Sequence, residues 1–411
     1  MSNTKPNVAI IGSGLAGLSL ALALNQQSIP VTIYESRPGP LNIGGAVMLS
    51  PNALRILDHL QIYKSVKEKG YSFETLHFRD LSGKLLETFD FGSEEKYGYN
   101  GLRIYRYALI DELLAAIKEK EIPIHFGKRF VNIVEDSLTD GVTFAFTDGS
   151  TASASILIGA DGIHSTVRQY LYPDLEPQFI GMAGITAAVP TTQLKLPQDY
   201  HIPVTIMSPR GAFVIAPQQN DGSEVLIGKQ QRVSAGESGW DREFVADKEG
   251  ALKFLQSDNA HFPEFVQNAV SQIDPAKVNK WPFFVVPKLE KWASETRRVL
   301  IVGDAAHAIP PSSGQGINQA FEDVYILALL LGKAEKIRNM QDALSFWQTY
   351  RQERVDKVLE LNKKIDMRRM PSDHTVVDVE SDFAREEFDL TWLYNPDFQK
   401  RVDDWVSLNE K

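Results

Sequence analysis

The sequence predicts an α/β protein in which an antiparallel sheet is inserted into a parallel-sheet domain, with a helical segment on the C-terminal side. Three observations predict this. Residues Val8 to Glu35 read as strand, helix and strand, the βαβ unit of a parallel sheet. Far along the chain, Val299-Leu300-Ile301-Val302 reads as another strand covered on both faces, because all four residues are branched aliphatics. Between about Phe179 and Val286 the texture changes: proline and glutamine rise, and short strands alternate with turn residues.

Taken in order, Val8 to Ile11 is an apolar strand, Leu15 to Leu24 an alanine- and leucine-rich helix, and Val31 to Tyr34 the second strand. Leu54 to Leu60 and Tyr107 to Lys120 are predicted helices; in the latter, Leu109, Leu113, Ala116 and Ile117 share a face. Strands are predicted over Phe126 to Glu135 and over Val142 to Phe146, the second turning at Asp148-Gly149. A short buried strand, Ile156 to Ile158, runs into Gly159-Ala160-Asp161-Gly162. In the inserted region, Gly211 to Ala216 and Glu224 to Gly228 are strands separated by the turn Asn220-Asp221-Gly222. Beyond Gly316, residues Ile317, Ala320, Phe321, Val324, Ala328 and Leu331 fall at helical spacing. Helix is predicted again through Ala343 to Met367, and a polar, acidic tail from Pro371 is expected on the surface.

Composition narrows the function. At 411 residues, two lobes are the natural expectation. The net charge of −10 argues against a nucleic-acid partner, which needs a basic face. The chain has no cysteine, which removes disulfides, thiolate nucleophiles, redox dithiols and cysteine-ligated metals together. No His-x-His or His-Glu-x-x-His spacing occurs, so no metal site is expected. The most apolar helical stretch, Tyr325 to Leu331, is far shorter than the roughly 20 residues a membrane span needs. With no recognisable signal peptide, a cytoplasmic location is expected.

Gly12-Ser13-Gly14-Leu15-Ala16-Gly17 is Gly-x-Gly-x-x-Gly between a strand and a helix. The first glycine makes the tight turn, the second admits a pyrophosphate, and the third lets helix and strand pack closely. Glu35 ends the second strand at the distance expected of a ribose-binding acid, and Arg37 is placed to touch the same nucleotide. This motif alone does not choose between NAD and FAD. The run from Val299 to Gly316 does: after its strand, Gly303 lets the backbone approach a ligand, Asp304 can accept from hydroxyls, and a helix start follows Pro310-Pro311. A second strand and helix meeting the far end of the ligand suits FAD, whose ribityl chain and ring reach beyond the first unit.

Together these residues resemble the FAD-dependent aromatic hydroxylases, the single-component flavoprotein monooxygenases of the p-hydroxybenzoate and salicylate hydroxylase type. The resemblance rests on Gly12-x-Gly14-x-x-Gly17 with Glu35, on Ala160 to Arg168 around Asp161-Gly162, and on Gly303-Asp304-Ala305-Ala306-His307 followed by Pro311, Gln315-Gly316 and Asn318. Gly44 to Asn52, Arg106 and Thr391 to Asn395 match as well. The resemblance implies a Rossmann-type FAD-binding domain over 1–73, 101–178 and 287–345. It implies a substrate-binding sheet domain over 74–100 and 179–286, and a C-terminal helix and tail over 346–411. Glu35 would bind the adenosine ribose and Asp304 the ribityl hydroxyls; Gly45, Ala46 and Arg106 would line the groove. Gly316 and Ile317 would present N–H groups to the pyrimidine edge of the flavin, with Pro311 in a stiff wall beside it. Asp161 and Arg168 would serve FAD packing and NAD(P)H docking, or form a turn with Ser165 as helix cap.

The implied reaction uses NADPH or NADH and O2 to hydroxylate or epoxidise a small aromatic, heteroaromatic or polyketide-like substrate through a flavin C4a-hydroperoxide. No catalytic residue is assigned, and His307 is expected to pack locally rather than act as a base. Met207, Phe213 and Ile215 are candidates for the pocket lining, with Arg210 as an anion anchor. Ile185-Thr186 stands where many members carry an aromatic–arginine pair, which counts against an aromatic carboxylate held by that arginine. The competing expectations are a flavin-dependent halogenase, whose Trp-x-Trp-x-Ile-Pro segment is absent, and a non-catalytic FAD-fold binding protein. A monomer or a homodimer is expected.

Overall fold

The computed structural model describes residues 6–40, 45–233, 245–369 and 389–410. Gly44 and the segment from Pro371 to Phe388 lie outside them. A parallel sheet of five strands forms the centre, in the order Val299–Ile301, Ile156–Gly159, Val8–Ile11, Val31–Tyr34 and Ile124–His125. Val8–Ile11 is buried along its whole length, as a strand with layers on both faces must be. Helix Leu15–Gln26 packs on helix Gly316–Gly332, whose residues from Asn318 to Leu331 are all buried. A helix covered on every side reads as apolar all round rather than amphipathic.

The inserted sheet has seven strands: Val278–Val285, Gln178–Pro190, Glu224–Arg232, Phe213–Pro217, Val204–Ile206, Thr75–Arg79 and Leu85–Asp90. Its neighbours are antiparallel except for Val204–Ile206 and Thr75–Arg79, which run parallel. Alternation is clean on three adjacent strands. Ile185, Ala187, Val189, Phe213, Ile215, Val225 and Ile227 are buried in one cluster with helices Lys248–Gln256 and Glu264–Ser271. Thr186, Ala188, Val214 and Leu226, on the opposite face, are half-buried.

Two expectations need correction. The strand expected from Phe126 to Glu135 is split: Ile124–His125 joins the parallel sheet, and a second strand starts at Phe130. The break lies at Gly127, with φ 74°, whose N–H donates to the Arg37 carbonyl while the Lys128 N–H donates to that of Glu35. The C-terminal stretch, where described, is not a surface tail. Thr391–Tyr394 and Phe398–Leu408 are helical, and Phe398, Val402 and Val406 are buried in the main core. Their spacing of four residues was the legible signal. Among the described residues no helix is long and apolar enough to cross a membrane, and no cluster of His, Asp and Glu could hold a metal.

Candidate active site

The first strand ends in Gly12 at φ 105°, where a Cβ would stand 2.6 Å from the Ala160 carbonyl oxygen. A Cβ on Gly17 would stand 2.0 Å from the Gly12 carbonyl oxygen. Both glycines are therefore requirements of packing. Gly14 is different: nothing lies within 4 Å of its Cβ position, so it opens onto space. Helix Leu15–Gln26 has no side-chain cap and no acid in its first turn, which leaves its leading N–H groups available to an anion. The Leu15 side chain is buried in the core, so only its backbone can serve the groove; Ala16 is half-exposed.

Glu35 is 3% exposed and fully engaged. One carboxylate oxygen accepts from the Ser13 N–H and hydroxyl at 2.9 and 2.8 Å; the other accepts from the Arg37 N–H and the Ser36 hydroxyl at 2.9 and 3.1 Å. Burial works against its ionisation, but the bonds from Ser13 and Arg37 outweigh it and hold the carboxyl below its ordinary range. Glu35 thus fastens the glycine turn to the end of the second strand. The Arg37 side chain is 49% exposed and lies 3.7 Å from Glu35.

From Val299 to Ala308 every residue is buried except Asp304. Gly303, at φ 60°, turns the chain so that this single carboxylate stands out. Surrounding protein pushes the Asp304 carboxyl above its ordinary range, with Arg106 among the charges that pull it back. Arg106 begins helix Arg106–Glu119 and finds no carboxylate close enough for an ion pair among the described residues. Its Nε is buried and unpartnered. Its backbone N–H donates to the Gly45 carbonyl at 3.3 Å, and Ala46 pairs with Tyr105, so Gly45, Ala46 and Arg106 form one wall.

The start of helix Gly316–Gly332 is stitched to that wall. Asn318 Oδ1 accepts from the Ser50 N–H at 2.9 Å, and its Nδ2 donates to the Met48 and Gly314 carbonyls at 3.0 and 2.7 Å. Gly316 and Ile317 remain half-exposed and Pro311 exposed. Asp161, against Gly12, accepts from the Ser165 hydroxyl at 2.5 Å and from the Thr166 and Val167 N–H groups at 2.8 and 3.1 Å. Arg168 is buried and donates to the Ala305 and Ile163 carbonyls, while Ser165 caps the helix by accepting from the Arg168 N–H. The helix-capping turn is thus formed. His307 is also buried and sits 2.5 Å from Asp323, its ring beside Trp292.

The expected pocket residues of the inserted sheet are not brought to the groove. Phe213 and Ile215 face the helices, and the Phe213 ring lies 5.8 Å from that of Phe262. Met207 is buried with Phe78 and Ala212, and Arg210 is ion-paired with Asp258 near the surface. The face that meets the groove carries Leu226, whose Cδ1 is 4.0 Å from the Cβ position of Gly45.

Sequence reasoning also missed a buried ionic network. The Gly303 N–H donates to Asp323 at 2.9 Å, and Asp323 accepts from Arg351 Nε at 2.8 Å. Glu322 accepts from Asn52, Arg354 and Arg351. Burial opposes its ionisation, yet the two guanidiniums hold the Glu322 carboxyl below its ordinary range. Two adjacent acids inside an otherwise apolar helix were the signal, because buried carboxylates require cations.

An open glycine at an uncapped helix start, a protruding carboxylate and an unpartnered guanidinium fit a ligand with a pyrophosphate and a polyol. The sequence profile of a family described as an FAD binding domain matches residues 5–362. The 3-amino-4-hydroxybenzoate 2-monooxygenase PtmB3 of Streptomyces platensis is 30% identical over 349 residues, 82% of each chain. The fold matches a salicylate hydroxylase in a substrate complex, with TM-score 0.80, 24% identity and 99% of each chain covered. It also matches Klebsiella pneumoniae HpxO complexed with FAD and uric acid, with TM-score 0.77, 24% identity, and 98% of this chain and 96% of that one covered. Glycine turn, protruding carboxylate and whole-chain likeness agree: the chain belongs to the FAD-binding-domain family, among the FAD-dependent aromatic monooxygenases.

Proposed function

We propose that the chain uses NAD(P)H and O2 to place one oxygen atom on a small aromatic, heteroaromatic or polyketide-like substrate. The observation that carries this reading is Asp304, the one exposed side chain of a buried run, sharing its groove with the unpartnered cation of Arg106. A carboxylate that can accept from hydroxyls, next to a cation that can meet phosphate, suits the ribityl and pyrophosphate of FAD. In this reading the Gly12–Gly17 turn takes the pyrophosphate and Glu35 the adenosine ribose, with Arg37 at its rim. Gly45 and Ala46 form the side wall. The N–H groups of Gly316 and Ile317 meet the ring where negative charge gathers on reduction. Segments 1–73, 101–178 and 287–345 hold the cofactor, and 74–100 with 179–286 cover the substrate.

Bound FAD supplies two-electron transfer from NAD(P)H and the activation of O2. The protein supplies position and exclusion of water between the Pro310-Pro311 corner and the half-buried face of the inserted sheet. The test is a purified protein, its visible spectrum, and its response to NADPH, NADH and a panel of phenols and aromatic acids under 18O2. A yellow protein bleached by one coenzyme, with one 18O atom in the product, is expected. A protein that cannot be loaded with FAD, or that reduces O2 only to hydrogen peroxide with every ring offered, overturns the reading.

A further inference from the structure

Arg103 lies in strand Gly101–Tyr105, paired with Met48 on one side and Tyr71 on the other. It is 6% exposed, and its guanidinium makes one hydrogen bond, from Nη2 to Gln218 Oε1 at 3.1 Å. Its Nε is buried and unpartnered, and Tyr105 is the sole titratable neighbour that acts on its charge. A buried cation without a carboxylate is costly, and an unsatisfied buried donor calls for a reason. Gln218 follows strand Phe213–Pro217 of the inserted sheet. Its Oε1 also accepts from the Ala46 N–H at 3.3 Å, and its Nε2 lies 3.7 Å from the Cβ position of Gly45. The donors of Arg103 and Gln218 therefore gather at the seam between the cofactor wall and the inserted sheet.

We propose that Arg103, with Gln218, anchors the carboxylate of an aromatic acid substrate. This rests on the monooxygenase reading and names its substrate class. It also answers the missing arginine at Ile185-Thr186: the cation comes from a neighbouring strand instead. An anionic edge of the reduced flavin has the same chemistry, but the start of helix Gly316–Gly332 already faces that edge in the proposed arrangement, whereas Arg103 is tied to the inserted sheet.

The test is equilibrium binding to the FAD-loaded protein, read from the flavin absorbance, with 2-hydroxybenzoate, 3-amino-4-hydroxybenzoate and their carboxamides. The wild type is expected to prefer a carboxylate over its amide. Arg103→Met should weaken carboxylate binding about 10- to 100-fold, as for loss of charge-assisted hydrogen bonds, and leave amide and FAD binding unchanged. Gln218→Glu should give the same loss by placing a fixed carboxylate on the guanidinium, and it reports even if Arg103→Met does not fold. Equal binding of acid and amide by the wild type, or an intact preference in both variants, overturns the proposal. A shift in flavin midpoint potential or FAD affinity with the preference intact assigns the site to the flavin and overturns it too. Failure of the wild type to take up FAD is a separate result, and it removes the monooxygenase reading instead.

Discussion

Four arginines lie in the interior of this protein, and they divide into two pairs. Arg351 bonds to Asp323, Glu322 and Gln319, and Arg354 bonds to Glu322 and to the Trp392 and Leu393 carbonyls. Arg103 and Arg106, beside the groove, have no carboxylate on them, and each keeps a buried Nε without a partner. The matched pair secures Gly303 and the helix that follows it. The unmatched pair has unused donors on the side where a ligand is needed. Matched cations hold the frame and unmatched ones await an anion, so the two pairs should respond oppositely to mutation.

The largest effect is expected at Arg351. Arg351→Met leaves Glu322 and Asp323 short of a partner in the core, and a loss of about 3–5 kcal/mol in urea unfolding is expected. Arg106→Met should change stability by less than about 1 kcal/mol, since no protein ion pair is lost, yet weaken FAD about 10- to 100-fold by fluorescence titration. A large loss of stability there would erase the distinction between the pairs. Glu35→Gln should cost about 1–2 kcal/mol near neutral pH, because four donors lose a charged acceptor. The folded carboxyl titrates below the ordinary range, so its contribution is present above that range and lost as pH falls through the folded value. Wild type and variant should therefore converge in acid denaturation. Arg37→Ala is the smallest, within about 0.5 kcal/mol, because a half-exposed ion pair at 3.7 Å contributes little.

The cofactor half of the molecule was legible because its chemistry constrains residue types locally. Gly12 must adopt a positive φ, Gly17 must let a carbonyl pass, and Asp304 interrupts a buried run, so each announces itself without knowledge of the fold. The inserted sheet was less legible for a physical reason. Alternation showed that Phe213 and Ile215 share a face, but a period of two does not say which face meets the groove. Here it is their opposite side, with Val214 and Leu226, that stays half-buried. Gln218, Arg103 and the Glu322–Arg354 network belong to a third class. Their meaning comes from partners more than a hundred residues away or on another helix, and no local pattern carries that information.

The stitching of the helix at Gly316 has a consequence for biosynthesis. The glycine turn at Gly12 is made early, but the strand bearing Asp304 pairs with Ile156–Gly159 across the whole inserted sheet, and the charges of Glu322 and Asp323 await Arg351 and Arg354. Arg354 in turn is fastened to the carbonyls of Trp392 and Leu393. On the ribosome, the first nucleotide-binding unit is translated long before the elements that complete its cavity. Capture of FAD is therefore an event of the nearly finished polypeptide, and premature termination anywhere before Arg351 leaves two uncompensated acids in the interior for the quality-control machinery to meet.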